Sequence, residues 1–298
     1  MNSVAHEKFR PTFVLTGGIV ITRFERLRRS AAACGLALFV QAGEAQAGEP
    51  ASRWDGDARS AMRLIAGSSA GPIGAGLEIR LKPGWHTYWR NPGDAGVPPR
   101  FDFADSRNLE SATVLWPAPR RIQEQGLTVI GYTSDFILPL VVVPQSRAVP
   151  VTLRLKLEYA VCEKLCVPAE ARAELVLAGA PSRYDAALVE AQSRVPRKRA
   201  IDQGGALAIR ALRRDPSHAS AIVDVAAPLE TNVDLFAEGP TAEWALPVPV
   251  HSGSPAAGLQ RFVFDLEGAP PGASYAGTPI TLTAVAGSEA IEVTAPLE

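Results

Sequence analysis

Two cysteines carry the most distinctive chemistry in this chain. Cys162 and Cys166 lie in Tyr159–Ala171, Y-A-V-C-E-K-L-C-V-P-A-E-A, with three residues between them. The third cysteine, Cys34, falls in an N-terminal stretch that reads as a cleaved targeting segment. One remaining pair in an exported chain is either a structural staple or a redox couple. Along one straight strand, residues four apart are roughly 13 Å from each other. A disulfide needs Cα atoms about 4.4–6.8 Å apart. If the pair closes, Glu163-Lys164-Leu165 must therefore turn the chain.

The flanking elements suit such a turn. In Val151–Val161, Leu153, Leu155, Leu157, Tyr159 and Val161 share one parity, and Arg154, Lys156 and Glu158 the other. After Pro168, Ala169, Ala171, Ala173, Leu175 and Leu177 alternate with Glu170, Arg172 and Glu174. A hairpin of these two strands brings facing residues within about 4.5–5.5 Å. Both cysteines share the parity of the charged residues, so parity places both thiols on the solvent side. An accessible disulfide at a tight turn is the exchangeable kind.

Other chemistries compete for the pair. A structural disulfide needs nothing more than the spacing. Zinc needs about four ligands, and two thiolates supply half. The histidines, His6, His86, His218 and His251, are all remote in sequence. A dinuclear copper motif wants His and Met where Glu170 and Ala173 stand. A mononuclear copper site with His251 or His86 stays open. A hydrolytic cysteine needs a base and an oxyanion hole, and nothing singles these out. The residues alone imply no cofactor and no metal.

The rest of the chain reads as support. Its 298 residues suffice for about two domains. Hydrophobic residues are 47% and charged residues 20%, an ordinary globular composition and not a disordered or coiled-coil one. The 25 glycines and 25 prolines, without heptads, point to a β-rich fold. A net charge of −1 argues against nucleic acid as a partner. Basic residues from Arg23 to Arg29, an apolar run Ala31–Val40 and an Ala45-Gln46-Ala47 cleavage site make residues 1–47 a signal peptide. Cys34 lacks the preceding apolar run of a lipoprotein cysteine.

Strand patterns recur at Gly76–Leu81, Trp85–Trp89, Phe101–Phe103, Ala112–Trp116, Gly126–Tyr132 and Asp135–Val143. Pro139 inside the last argues for an edge strand or a bulge. Ser182–Arg194 has helical spacing, with Ser182 as a possible cap. Strand patterns return from Leu207 to Thr294. The expected fold is all-β: two tandem immunoglobulin-like β-sandwich domains, 48–180 and 201–298, joined by a short helical linker at 181–200.

Three groups of residues carry a resemblance. They are Tyr159-Ala160-Val161-Cys162…Cys166-Val167-Pro168, Gly131-Tyr132…Leu138-Pro139, and Pro83-Gly84-Trp85-His86-Thr87-Tyr88-Trp89 followed by Asn91-Pro92-Gly93-Asp94-Ala95-Gly96. Over roughly Ala61–Leu177 the chain resembles the N-terminal periplasmic domain of the DsbD family of thiol:disulfide interchange proteins, in the ScsB-like branch. The resemblance implies an immunoglobulin-like sandwich in the periplasm and a protein-disulfide reductase type of chemistry. It makes Cys162 and Cys166 the redox couple, with exchange leaning to Cys166. It places Ile130 and Tyr132 in a cap over the couple, with Trp85, Tyr88 and Trp89 as a partner-docking surface or core. Implied partners are a membrane-embedded thiol reductase and periplasmic thioredoxin-like or disulfide isomerase clients, in the settings of cytochrome c biogenesis or copper tolerance. No run of about 18 apolar residues follows residue 47, so the reductase is expected on a separate chain. The opposing expectation is a copper-binding or structural periplasmic adaptor with a stable disulfide.

Overall fold

Alternation of apolar and charged residues builds most of this molecule, and the longest alternating stretch ends at the cysteines. The computed structural model describes residues 49–68 and 74–298. The expected signal peptide and Cys34 lie outside the described residues. The first eleven strands are β1 (Asp55–Gly56), β2 (Ser60–Ala66), β3 (Ala75–Leu81), β4 (His86–Gly93), β5 (Arg100–Asp102), β6 (Leu109–Val114), β7 (Arg120–Glu124), β8 (Leu127–Tyr132), β9 (Phe136–Pro144), β10 (Val151–Cys162) and β11 (Cys166–Leu177). They form two sheets, ordered β1-β2-β3-β9-β6 and β11-β10-β4-β8-β7, with β5 also paired to β10.

The two sheets face each other as a sandwich. Met62, Leu64, Leu77, Ile79, Leu138 and Leu140 from one sheet pack against Leu153, Leu155, Leu157, Tyr159 and Val161 from the other. Each such leucine contributes about 1.5–3 kcal/mol by leaving water. Inside this core the Tyr159 hydroxyl finds Ser60 Oγ at 2.7 Å, so its polar end is not left unpaired.

Pro139 sits in an interior strand, not at an edge. β9 runs between β3 and β6, and Pro139 faces Gly76. β6 ends at Val114, which pairs with Leu140, and Leu115 N–H donates to Pro139 O just beyond. The side on which proline lacks an N–H thus falls where β6 stops, and no ladder bond is lost.

The helix α1 (Asp185–Ser193) follows the first sandwich. Tyr184, not Ser182, is its N-cap residue; Ser182 Oγ instead donates to Ala66 O. Leu188 is buried against Ile65, so the linker helix is packed onto the outer face of the first sandwich. Eight more strands follow: β12 (Arg197–Arg199), β13 (Ala208–Arg214), β14 (Ser220–Ala226), β15 (Val233–Glu238), β16 (Val250–His251), β17 (Leu259–Asp265), β18 (Pro279–Ala286) and β19 (Glu289–Pro296). They form sheets β12-β19-β18-β15 and β13-β14-β17-β16 around a second core that includes Val223, Leu235, Phe262, Leu282 and Val293. The fold is all-β, two sandwiches with one helix between them.

The sandwiches meet across β4, β7 and β8. Trp89, Ile130 and Tyr132 of the first bury against Phe236 and Val248 of the second. Arg90 forks onto Glu238 and reaches Glu292 at 2.6 Å. Arg121 pairs with Asp234 at 2.9 Å and donates to the carbonyls of Leu235 and Pro249.

Candidate functional site

The cysteines close the longest ladder in the first sandwich. β10 and β11 pair antiparallel over their full lengths, from Val151 opposite Leu177 to Cys162 opposite Cys166. Glu163-Lys164-Leu165 is the turn. The disulfide Cys162–Cys166 is formed across this last pair, with Cα atoms 4.1 Å apart.

Parity fails for one sulfur. Cys166 is exposed, whereas Cys162 has no exposed surface. The charged-side face of β10 is open to solvent along most of its length but not at its end. There β4 pairs alongside, with His86 opposite Cys162 and Thr87 opposite Val161. Facing residues in a ladder point the same way, so Cys162, His86 and Tyr88 share a face. Tyr88, Val129, Ala160 and Cys162 form a small apolar cluster on that face, joined by Ala95 and Ile122. The loop after β4 covers it. At Gly96, with φ of 107°, any Cβ would fall 2.4 Å from the Tyr88 ring. Only glycine lets the backbone lie so close in that conformation.

Polar groups converge on the disulfide from two directions. The Tyr88 hydroxyl lies 2.9 Å from Cys162 Sγ and 3.0 Å from Cys166 Sγ. It also reaches Glu124 Oε2 at 3.2 Å. A carboxylate is a stronger acceptor than a disulfide sulfur, so the single phenol proton goes to Glu124 while the disulfide is closed. Burial, then the Glu124 charge and hydrogen bond, push the Tyr88 pKa up to about 12. Tyr88 therefore stays a donor at any physiological pH. Glu124 Oε1 stands 3.3 Å from Cys166 Sγ, and Oε2 stands 3.3 Å from His86 Nε2. The His86 ring meets Tyr88 edge-on at 5.7 Å.

Glu124 was not legible as a site residue. It ends β7, whose sequence Arg-Arg-Ile-Gln-Glu is too polar to read as a strand. The available signal was the turn after it. Gln125 and Gly126 both have positive φ, 49° and 85°, and join β7 to β8 as a two-residue hairpin. Gln125 Nε2 donates to Lys164 O at 3.1 Å, which ties this turn to the cysteine turn. A cleft of about 620 Å³ opens here, lined by Gly84, Trp85, His86, Ile122, Glu124, Glu163 and Lys164 among others.

The other sequence-selected residues are dispersed. Of the aromatic block, Tyr88 alone touches the sulfurs. Trp85 lines the cleft and packs against the first core. Trp89, Ile130 and Tyr132 lie on the opposite face of their strands, buried between the sandwiches. Neither Ile130 nor Tyr132 stands over the disulfide. Tyr132 stacks on Phe136 at 4.0 Å and donates to Pro117 O. Asn91 and Asp94 shape the loop: Asn91 Oδ1 accepts from Gly93 N–H, and Asp94 Oδ2 accepts from Thr128 N–H.

Comparison with known proteins places this hairpin in a family. Residues 57–178 match the family model for thiol:disulfide interchange protein DsbD, N-terminal. No curated protein matches the chain in sequence. Among solved structures, the N-terminal periplasmic domain of ScsB from Proteus mirabilis superposes with a TM-score of 0.67 at 17% identity, covering 84% of this chain and 98% of that one. That overlap spans both sandwiches and describes their fold. Residues 57–178 of this chain, the sandwich that closes the Cys162–Cys166 disulfide, belong to the DsbD N-terminal family of thiol:disulfide interchange proteins.

Proposed function

We propose that this protein is a periplasmic thiol:disulfide interchange protein that relays two electrons through Cys162 and Cys166, from a membrane-embedded reductase on a separate chain to thioredoxin-like or isomerase-like clients. The observation that carries this reading is the asymmetry of the disulfide: an exposed residue, Cys166, bonded to a fully buried one, Cys162. A partner thiolate can reach only the first. Export rests on the sequence of residues 1–47. Among the described residues no helix is long and apolar enough to cross a membrane. In this reading residues 48–180 are the exchange domain, 181–200 the linker and 201–298 a docking or spacer sandwich.

A reductant thiolate attacks Cys166 Sγ, the Cys162–Cys166 bond breaks, and Cys162 leaves as a thiolate. Tyr88 turns its proton to that thiolate and stabilises the leaving group. The reductant's second thiolate attacks its own sulfur in the mixed disulfide and releases the Cys166 thiolate. Cys162 and Cys166 take up the two protons that the reductant's thiols gave to solvent, leaving this protein a dithiol and the reductant oxidised. For transfer onward, Glu124 accepts a hydrogen bond from the Cys166 thiol and takes its proton. The Cys166 thiolate attacks a client disulfide, and one client thiolate leaves. Cys162 then attacks Cys166 Sγ, expels the second client thiolate and restores the disulfide.

The test is capture of a mixed disulfide. Cys162→Ala leaves Cys166 without its resolving partner, so the expected result is a covalent adduct through Cys166 with periplasmic proteins, identified by mass spectrometry. Cys166→Ala is expected to capture far less. A reduction potential below about −300 mV, or no adduct with either variant, would show the disulfide to be a stable staple.

A further inference from the structure

The same sheet that buries Cys162 assembles a second chemistry. His86 is the ladder partner of Cys162, and Glu124 arrives from the adjoining hairpin. His86 Nε2, a Glu124 oxygen and Cys162 Sγ all lie within 4.8 Å of one another. His86 Nε2 to Glu124 Oε2 is 3.3 Å, and Cys166 Sγ to Glu124 Oε1 is 3.3 Å. Zinc bonds of about 2.0–2.3 Å in a tetrahedron set neighbouring ligand atoms about 3.3–3.8 Å apart. Glu124 therefore stands at coordination spacing from both His86 and Cys166, and opening the disulfide frees the two sulfurs to move apart to theirs. His86 and Glu124 are largely withdrawn from water, with side-chain exposures of 8% and 13%. Both nevertheless line the open cleft, which gives an ion a path in.

We propose that the dithiol form binds one divalent cation of the zinc class through Cys162, Cys166, His86 and Glu124. Two thiolates, an imidazole and a carboxylate form a borderline-soft donor set that suits zinc over magnesium or calcium. Binding converts two thiols and one metal ion into a dithiolate complex, releases two protons to solvent and moves no electrons. The disulfide form offers only the imidazole and the carboxylate, so the site is redox-gated. A bound ion would in turn hold both sulfurs away from partner thiols. This inference shares the cysteines with the exchange reading but does not rest on it.

The experiment uses the full chain, reduced with a phosphine and freed of reductant under argon. Cobalt(II) is added first, then zinc(II) in competition with a chromogenic chelator. The expected result is one cobalt per dithiol chain, with thiolate-to-cobalt charge transfer and tetrahedral visible bands, displaced by zinc. The disulfide form is expected to stay colourless. His86→Gln and Glu124→Gln each lose a direct ligand. Removing even a residue behind a ligand weakens metal sites about 10–100-fold, so each variant is expected to lose at least about tenfold in zinc affinity. Far-UV circular dichroism of the disulfide forms checks that the variants fold. A cobalt spectrum of the wild-type dithiol without thiolate charge transfer overturns the proposal. So does equal zinc affinity in the dithiol and disulfide forms, or in the wild type and both folded variants. Adduct capture by Cys162→Ala is an independent readout: its failure would remove the exchange reading and leave the metal result standing.

Discussion

At the scale of residues, the site turns on groups that sequence order keeps far apart. Tyr88 is the one phenol in contact with both sulfurs. Tyr88→Phe keeps the ring and removes the donor. A hydrogen bond to a charged group contributes about 1.5–3 kcal/mol, so reduction of the disulfide by a small dithiol is expected to slow roughly tenfold or more in stopped-flow kinetics. An unchanged rate would take Tyr88 out of the mechanism. Alkaline stability gives a second readout. Tyr88, Tyr132 and Tyr159 all have pKa values raised first by burial. Their folded forms hold protons that the unfolded chain releases near pH 10. The unfolded state then binds fewer protons, so stability falls as pH rises. This contribution is whole below about pH 10 and, for Tyr88, is lost as pH approaches about 12. Denaturant midpoints above about pH 10 should fall in the wild type, and less steeply in Tyr88→Phe. The cysteine pair and Tyr88 were visible in the sequence. His86 was visible only as one of two distant histidines open to a copper site, because ladder partners need not be near in sequence.

At the scale of elements, alternation revealed the β10–β11 hairpin and even its closing pair. It did not reveal the burial of Cys162, because parity names the side of a strand and not what covers that side. The cover comes from β4, β7, β8 and the loop at Gly96. Of these, β7 was unreadable as a strand. Close packing of β4 on β8 is set by Gly131, where a Cβ would lie 2.0 Å from Thr87 O. Gly131→Ala must push the two strands apart. Overpacking of this kind costs about 1–3 kcal/mol, and the contact here is with rigid backbone. The denaturant midpoint should fall accordingly, and Cys162 should become accessible to a thiol reagent in the reduced protein. Retained stability with Cys162 still protected would show that the strand pair tolerates a side chain there.

At the scale of the whole molecule, two sandwiches and a helix were expected from composition, turn spacing and the helical pattern after Ser182. The way they join was not, because Trp89, Ile130 and Tyr132 read equally well as a cap, a docking surface or core. They are the inner wall of the junction with the second sandwich. Arg90 locks that junction: burial alone would lower its pKa, but Glu238 and Glu292 overcome this and raise it. Arg90→Ala leaves two part-buried carboxylates facing each other. Breaking a buried pair costs about 3–5 kcal/mol, less where water enters. The expected outcome is that one unfolding transition in calorimetry separates into two, while a single intact transition would show that apolar contacts alone hold the junction. The junction contacts of Ile130 and Arg121 and the Gln125–Lys164 hydrogen bond tie the β7–β8 hairpin, which carries Glu124, both to the second sandwich and to the cysteine turn. Which sulfur a partner reaches is read most directly by mass spectrometry of adducts trapped in vivo by Cys162→Ala and Cys166→Ala. Partners bound through Cys166 in the first variant, and largely absent in the second, are the predicted result. Adducts through Cys162 as the dominant species, or none in either variant, would contradict exchange at the exposed sulfur.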